Sequence, residues 1–106
     1  MATELAKSFN QSEQIQALPL GSTQTISVTS SSAANSTAFA AGTTAVRVVS
    51  TTDCHIIFGT SPTATTSTAY LPANQVEYFK VPVPGTSKLA AIRANADGTL
   101  YVTEMA

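Results

Sequence analysis

Charge is what this chain has least of. Only 10% of its 106 residues are charged, against about 25% in an ordinary soluble domain. The five basic residues, Lys7, Arg47, Lys80, Lys88 and Arg93, are scattered. No basic run or stripe can neutralise a phosphate backbone, so direct nucleic-acid binding is not expected. There is one cysteine, Cys54, which excludes an internal disulfide and leaves nothing to indicate an oxidising compartment. No apolar run approaches the roughly 18 residues that span a bilayer, so no membrane partner is expected. The opening "MATELAKSFNQSEQ" has no apolar signal core. A metal site needs three or four ligands from His, Cys, Asp and Glu. The one histidine and the separated acids show no such spacing, and no glycine pattern cradles a phosphate. No catalytic, metal or cofactor-binding residues are therefore assigned, and no cofactor is expected. Tryptophan is absent, which weakens a sugar-binding reading that relies on aromatic platforms.

Ser and Thr, with Asn and Gln, supply the polarity that charge does not. The hydrophobic fraction is an ordinary 43%, so most of the length can fold. The formal net charge is -1, whereas a dispersed monomer usually sits further from zero. This favours a protein packed against other copies or a larger surface over a free neutral monomer. A chain of this length fits one domain.

Residues 1–21 read as an N-terminal arm. "MATELAKSFN" allows a short helical turn with Leu5 and Phe9 on one face. "QSEQIQALPLG" is polar and closes on Pro19 and Gly21. Its apolar anchors, Leu5, Phe9, Ile15 and Leu18, are candidate partner contacts. Residues 22–106 read as short strands broken by turns: "TQTISVTS", "STAFAAG", "TAVRVVS", "CHIIFG", "AYLPA", "QVEYFKV", "KLAAIRA" and "TLYVTEM". "SSAANS" reads as a turn or loop. "NADG" between the last two runs predicts a hairpin, because Asn, Asp and Gly tolerate positive φ. Seven or eight strands at about ten-residue spacing predict an all-β, single-domain antiparallel β-sandwich.

"TDCHIIFG", residues 52–59, places an acid, a thiol and an imidazole in a row. Side chains alternate along a strand. Cys54, Ile56 and Phe58 then share one apolar face, and Asp53, His55 and Ile57 share the other. Cys54 reads as core filler and His55 as a structural or surface group. A bulge at Asp53 would alter these faces. Paired carboxylates need only meet in the fold, and Asp53, Glu77, Asp97 and Glu104 are the acids available in the strand region.

From residue 44 to the end, the chain resembles the small structural proteins of tailed-bacteriophage virions. The pieces that carry the resemblance are "DCHIIFG", "PTAT", "LPAN" followed by "EYFKV", then "PG", "LAAI" and "GTLYVTEM". The resemblance implies a non-enzymatic virion component of a double-stranded DNA phage, made in the host cytoplasm. It points to a capsid decoration, or cement, protein on the capsid exterior, with a jelly-roll-like sandwich. The implied partners are the major capsid protein and other copies of itself, with a trimer favoured over a dimer because icosahedral lattices offer three-fold positions. Thr60, Thr63 and Thr66, in the uncharged loop Thr60 to Thr68, join the arm as candidate contacts. Three alternatives stand beside this reading. They are a head–tail or tail structural component, a carbohydrate-binding β-sandwich module using Tyr70 or Tyr101, and a cysteine-dependent enzyme built on Cys54 and His55.

Overall fold

The computed structural model describes residues 18–105. Among them are eight strands: β1 (Leu20–Val28), β2 (Ala33–Ala34), β3 (Ala45–Ser50), β4 (Cys54–Gly59), β5 (Ala69–Leu71), β6 (Glu77–Lys80), β7 (Lys88–Arg93) and β8 (Gly98–Met105). They form two four-stranded antiparallel sheets, ordered β1-β8-β3-β6 (sheet one) and β2-β7-β4-β5 (sheet two). The chain is all-β over these residues, as the alternating runs predict. β1 starts at Leu20, two residues before the expected start of the sandwich. Leu5, Phe9, Ile15 and most of the expected arm lie outside the described residues.

The inner faces follow directly from the β-branched and aromatic alternation. Ile26 and Val28 of β1, Val46 and Val48 of β3, and Leu100 and Val102 of β8 point inward from sheet one. Cys54, Ile56, Leu71, Leu89 and Ala91 meet them from sheet two. Phe39, Phe58 and Phe79 cross the core as a row, with ring centroids 6.3 and 5.7 Å apart. Each large side chain buried here contributes roughly 1.5–3 kcal/mol.

Two local signals meant something else. "NADG" does not close a hairpin, because β7 belongs to sheet two and β8 to sheet one. The turn carries the chain between sheets, clamped by the Arg93–Asp97 ion pair at 2.6 Å. Among the described residues, positive φ occurs only at Asn74 and Gly85, not in this turn. Gly98 is needed for closeness instead: a Cβ there would lie 2.6 Å from the Thr51 hydroxyl and the Thr52 methyl. "STAFAAG" is not a strand either. Phe39 is fully buried, and its backbone bonds Ser87 and Gly85 at 2.9 and 2.8 Å, so one aromatic anchors an irregular connection. Within "SSAANS", Ala33–Ala34 pairs with Ala91 and Ala90 as the brief β2.

Of the consecutive strands, only β4 and β5 pair with each other. Every other connection crosses between sheets, and polar side chains fasten these crossings. Buried Asn35 accepts from Leu89 N at 2.7 Å and donates to the Thr37 carbonyl at 2.6 Å. Glu104 accepts from Thr43 Oγ1 and Ala40 N. Ser50 Oγ donates to the Thr52 carbonyl at 2.8 Å, and Thr52 Oγ1 to that of Ala96 at 2.9 Å. Buried polar atoms left without such partners would each cost about 1–3 kcal/mol.

Candidate functional site

Asp53, Cys54 and His55 send their side chains in three directions. Cys54 points into the core and is fully buried. Burial pushes its thiol above the ordinary value, a hydrogen bond with Ser50 opposes this, and the Asp53 carboxylate adds to it. A raised, enclosed thiol is a poor nucleophile. His55 points out of the other side of sheet two. Its Nδ1 lies 2.9 Å from the Thr68 carbonyl, which only accepts, so Nδ1 carries the proton and donates. The ring meets Tyr70 edge-on at 5.4 Å. Asp53 Oδ1 accepts from Ala73 N at 2.7 Å, while its carbonyl accepts from Ala94 N at 3.0 Å. A hydrogen bond to Asp53 also raises the Tyr70 phenol above its ordinary value. Thiol and imidazole are therefore on opposite faces of one sheet and form no catalytic pair. The three side chains act as core filler, loop pin and turn clamp.

Among the described residues, no three of His, Cys, Asp or Glu come together as metal ligands would. An apolar cleft of about 340 Å³ lies where β4 and β5 approach β6. Ile56, Ile57, Phe58, Ala69 and Phe79 line it with Thr68. It offers almost nothing to orient a polar substrate.

The outward faces of the two sheets differ. On sheet two, Ala90 lies between the inward Leu89 and Ala91, so it faces outward, yet it is fully buried. The cover is the β4–β5 loop. Ala64 N donates to Ser32 Oγ at 2.8 Å, beside the far-edge strand β2, and His55 holds the loop's return at Thr68. Ala64 is itself buried. Residues 60–68 thus cross the outer face of sheet two as a roof. Thr60, Thr63 and Thr66 are exposed on it.

On sheet one, no hydrogen bond among the described residues ties a loop across the outer face. The register sets Thr23, Thr103, Arg47 and Tyr78 in one row, and Thr25, Tyr101 and Val49 in the next. Thr23 and Thr103 share a 2.9 Å hydroxyl bond. Tyr101 is 42% exposed, and Arg47, Val49 and Tyr78 are half-buried. Tyr and Arg with few acids nearby is the composition of contact surfaces. Sequence reasoning missed this patch, although the outward positions of "AVRVVS" and "TLYVTEM" carried the signal. Leu18, the one expected arm contact inside the described residues, is half-buried.

Comparison with family models, with curated proteins and with solved structures finds no match to this chain.

Proposed function

We propose that this chain is a structural building block rather than an enzyme: a capsid decoration protein of a tailed double-stranded DNA phage. In this reading it sits on the outside of the major capsid lattice and stabilises it. The observation that carries the reading is the division of labour among its polar groups. The reactive-looking side chains and most of the connections are committed to holding one rigid body, while the outward surfaces are hydroxyl-rich and nearly uncharged. Low charge suits close packing, because few ions must lose water at each contact. Repetition over many symmetric sites lets modest contacts sum through avidity.

The strand orders support a jelly-roll reading of the sandwich. Eight strands in two sheets among the described residues, with the first of these beside the last and connections that repeatedly cross the core, suit that architecture, which viral capsid domains use. The proposed capsid contacts are Leu5, Phe9, Ile15 and Leu18 in the N-terminal arm, residues 1–21, and Thr60, Thr63 and Thr66 on the roof. The Tyr101–Val49–Arg47–Tyr78 patch joins them as the most interface-like surface. A place at the head–tail junction or in the tail draws on the same features.

A carbohydrate-binding module is the second reading, because Tyr70 is 53% and Tyr101 42% exposed. These rings lie on different sheets, so they cannot form one stacking platform. The test mixes purified protein with undecorated capsids and measures uptake and resistance to heat. Saturable uptake with a gain in heat resistance is expected. No uptake and no gain would overturn the proposal. Glycan binding lost on Tyr70→Ala or Tyr101→Ala would replace it.

A further inference from the structure

The four sheet edges are not equally guarded. β2 and β5, the edges of sheet two, have two and three residues. β6, one edge of sheet one, has four residues. It exposes Glu77 and Lys80 and runs on to Pro82 and Pro84. Shortness, charge and proline are the devices that keep strand edges from pairing with other chains. β1, the other edge of sheet one, has none of them. It runs nine residues, Leu20–Val28, and among the described residues no strand lies beyond it in the sheet. No charged residue occurs between Glu13 and Arg47. The only irregularity is between Leu20 and Thr23, which leaves Thr23–Val28 in regular register. Gln24 faces inward, where its amide donates to the Thr37 carbonyl at 2.9 Å and accepts from Thr37 N at 3.1 Å. That contact closes the gap between the sheets and leaves Thr23, Thr25 and Ser27 exposed on the outer side.

We propose that β1 is a pairing edge for a second copy of this chain, with the two β1 strands antiparallel about a two-fold axis at Thr25. The axis sets Thr25 opposite its symmetry mate and Thr23 opposite Ser27 of the other copy. Cross-strand hydroxyl pairs of this kind are favourable, and the absence of charge means that no like charges meet. The two copies of sheet one then form a continuous eight-stranded sheet. The self-associated unit is a dimer, where the lattice argument favoured three copies. This inference concerns the chain in solution and stands apart from capsid binding, which is measured separately.

Sedimentation of the full chain tests it. The parent protein is expected to dimerise. Thr25→Lys and Thr25→Glu, each confined to an exposed position, should weaken self-association by at least about tenfold. An equimolar mixture of the two variants should restore it as a heterodimer, because opposite charges then face each other. Each variant's unfolding temperature is compared with the parent's, and Tyr101→Lys serves as the control on the sheet face. A parent that stays monomeric at about 0.1 mM would overturn the proposal. So would a dimer indifferent to both Thr25 variants, single variants that their mixture fails to rescue, or a dimer lost only on Tyr101→Lys.

Discussion

The two outer faces of this sandwich are made by the same kind of strand, yet among the described residues a loop roofs only one of them. Sheet two carries Ala90 and Ile92 outward, small and apolar positions that a loop can lie against. Residues 60–68 do so, pinned at Ser32 and His55. Sheet one carries Thr, Tyr, Val and Arg outward, a mixed surface that remains soluble while offering contact area. The difference teaches that an uncharged Ser/Thr loop is not automatically a surface for partners. "TSPTATTS" spends its one buried alanine on its own sheet and leaves its threonines and serines outside.

Substitutions can break or sharpen this contrast, and their expected effects run from large to small. Phe39→Ala should affect both faces alike, since Phe39 fills the core between the sheets. A loss of about 3–5 kcal/mol is expected in urea unfolding. Asn35→Ala leaves the Leu89 amide without its acceptor and should cost about 1–3 kcal/mol, with hydrogen exchange rising first along β2 and β7. His55→Ala should loosen only the roof. About 1 kcal/mol is expected, together with faster proteolysis within residues 60–68 and unchanged exchange in β8. Tyr101→Ala should change stability by no more than about 0.5 kcal/mol. If sheet one binds a partner, the same change removes that binding, and a capsid-uptake assay reads it.

Alkaline titration separates the buried thiol from both faces. The folded protein holds Cys54 protonated above its ordinary value of 9.0, so the unfolded chain ionises first. Stability is fully present below about pH 9 and falls as pH rises beyond it. Cys54→Ala should flatten that fall, measured against Tyr70→Phe, which removes the other raised group. A thiol reagent should leave Cys54 unmodified in the native protein and modify it after unfolding.

How much of this was legible in the sequence depends on how local the cause is. Alternation along "CHIIFG" placed Cys54 inward and His55 outward, because side-chain direction in a strand is a property of neighbours. The hairpin at "NADG" was misread for the opposite reason. Turn residues announce a change of direction, but whether the flanking strands pair depends on which sheet each one joins. Gly98 is where it is because Thr51 and Thr52 press against it from a distant connection. Phe39 reads in the sequence as the centre of a strand, since a lone aromatic between alanines looks the same whether a sheet or a loop buries it. The roof was invisible because Ala64 finds its partner at Ser32, and no pattern within residues 60–68 names that position.

The pairing of β1 with β8, from Leu20↔Met105 to Val28↔Gly98, has a consequence for biosynthesis. The strand made earliest among those described waits for the one made last, so sheet one cannot close until Gly98–Met105 has emerged from the ribosome. Folding of sheet one is thus held back until both strands of that pair are available. With most contacts joining distant parts of the chain, it belongs to the slow regime of milliseconds to seconds. During that wait β1 is exposed to other nascent copies, the interval in which mispairing between chains would begin.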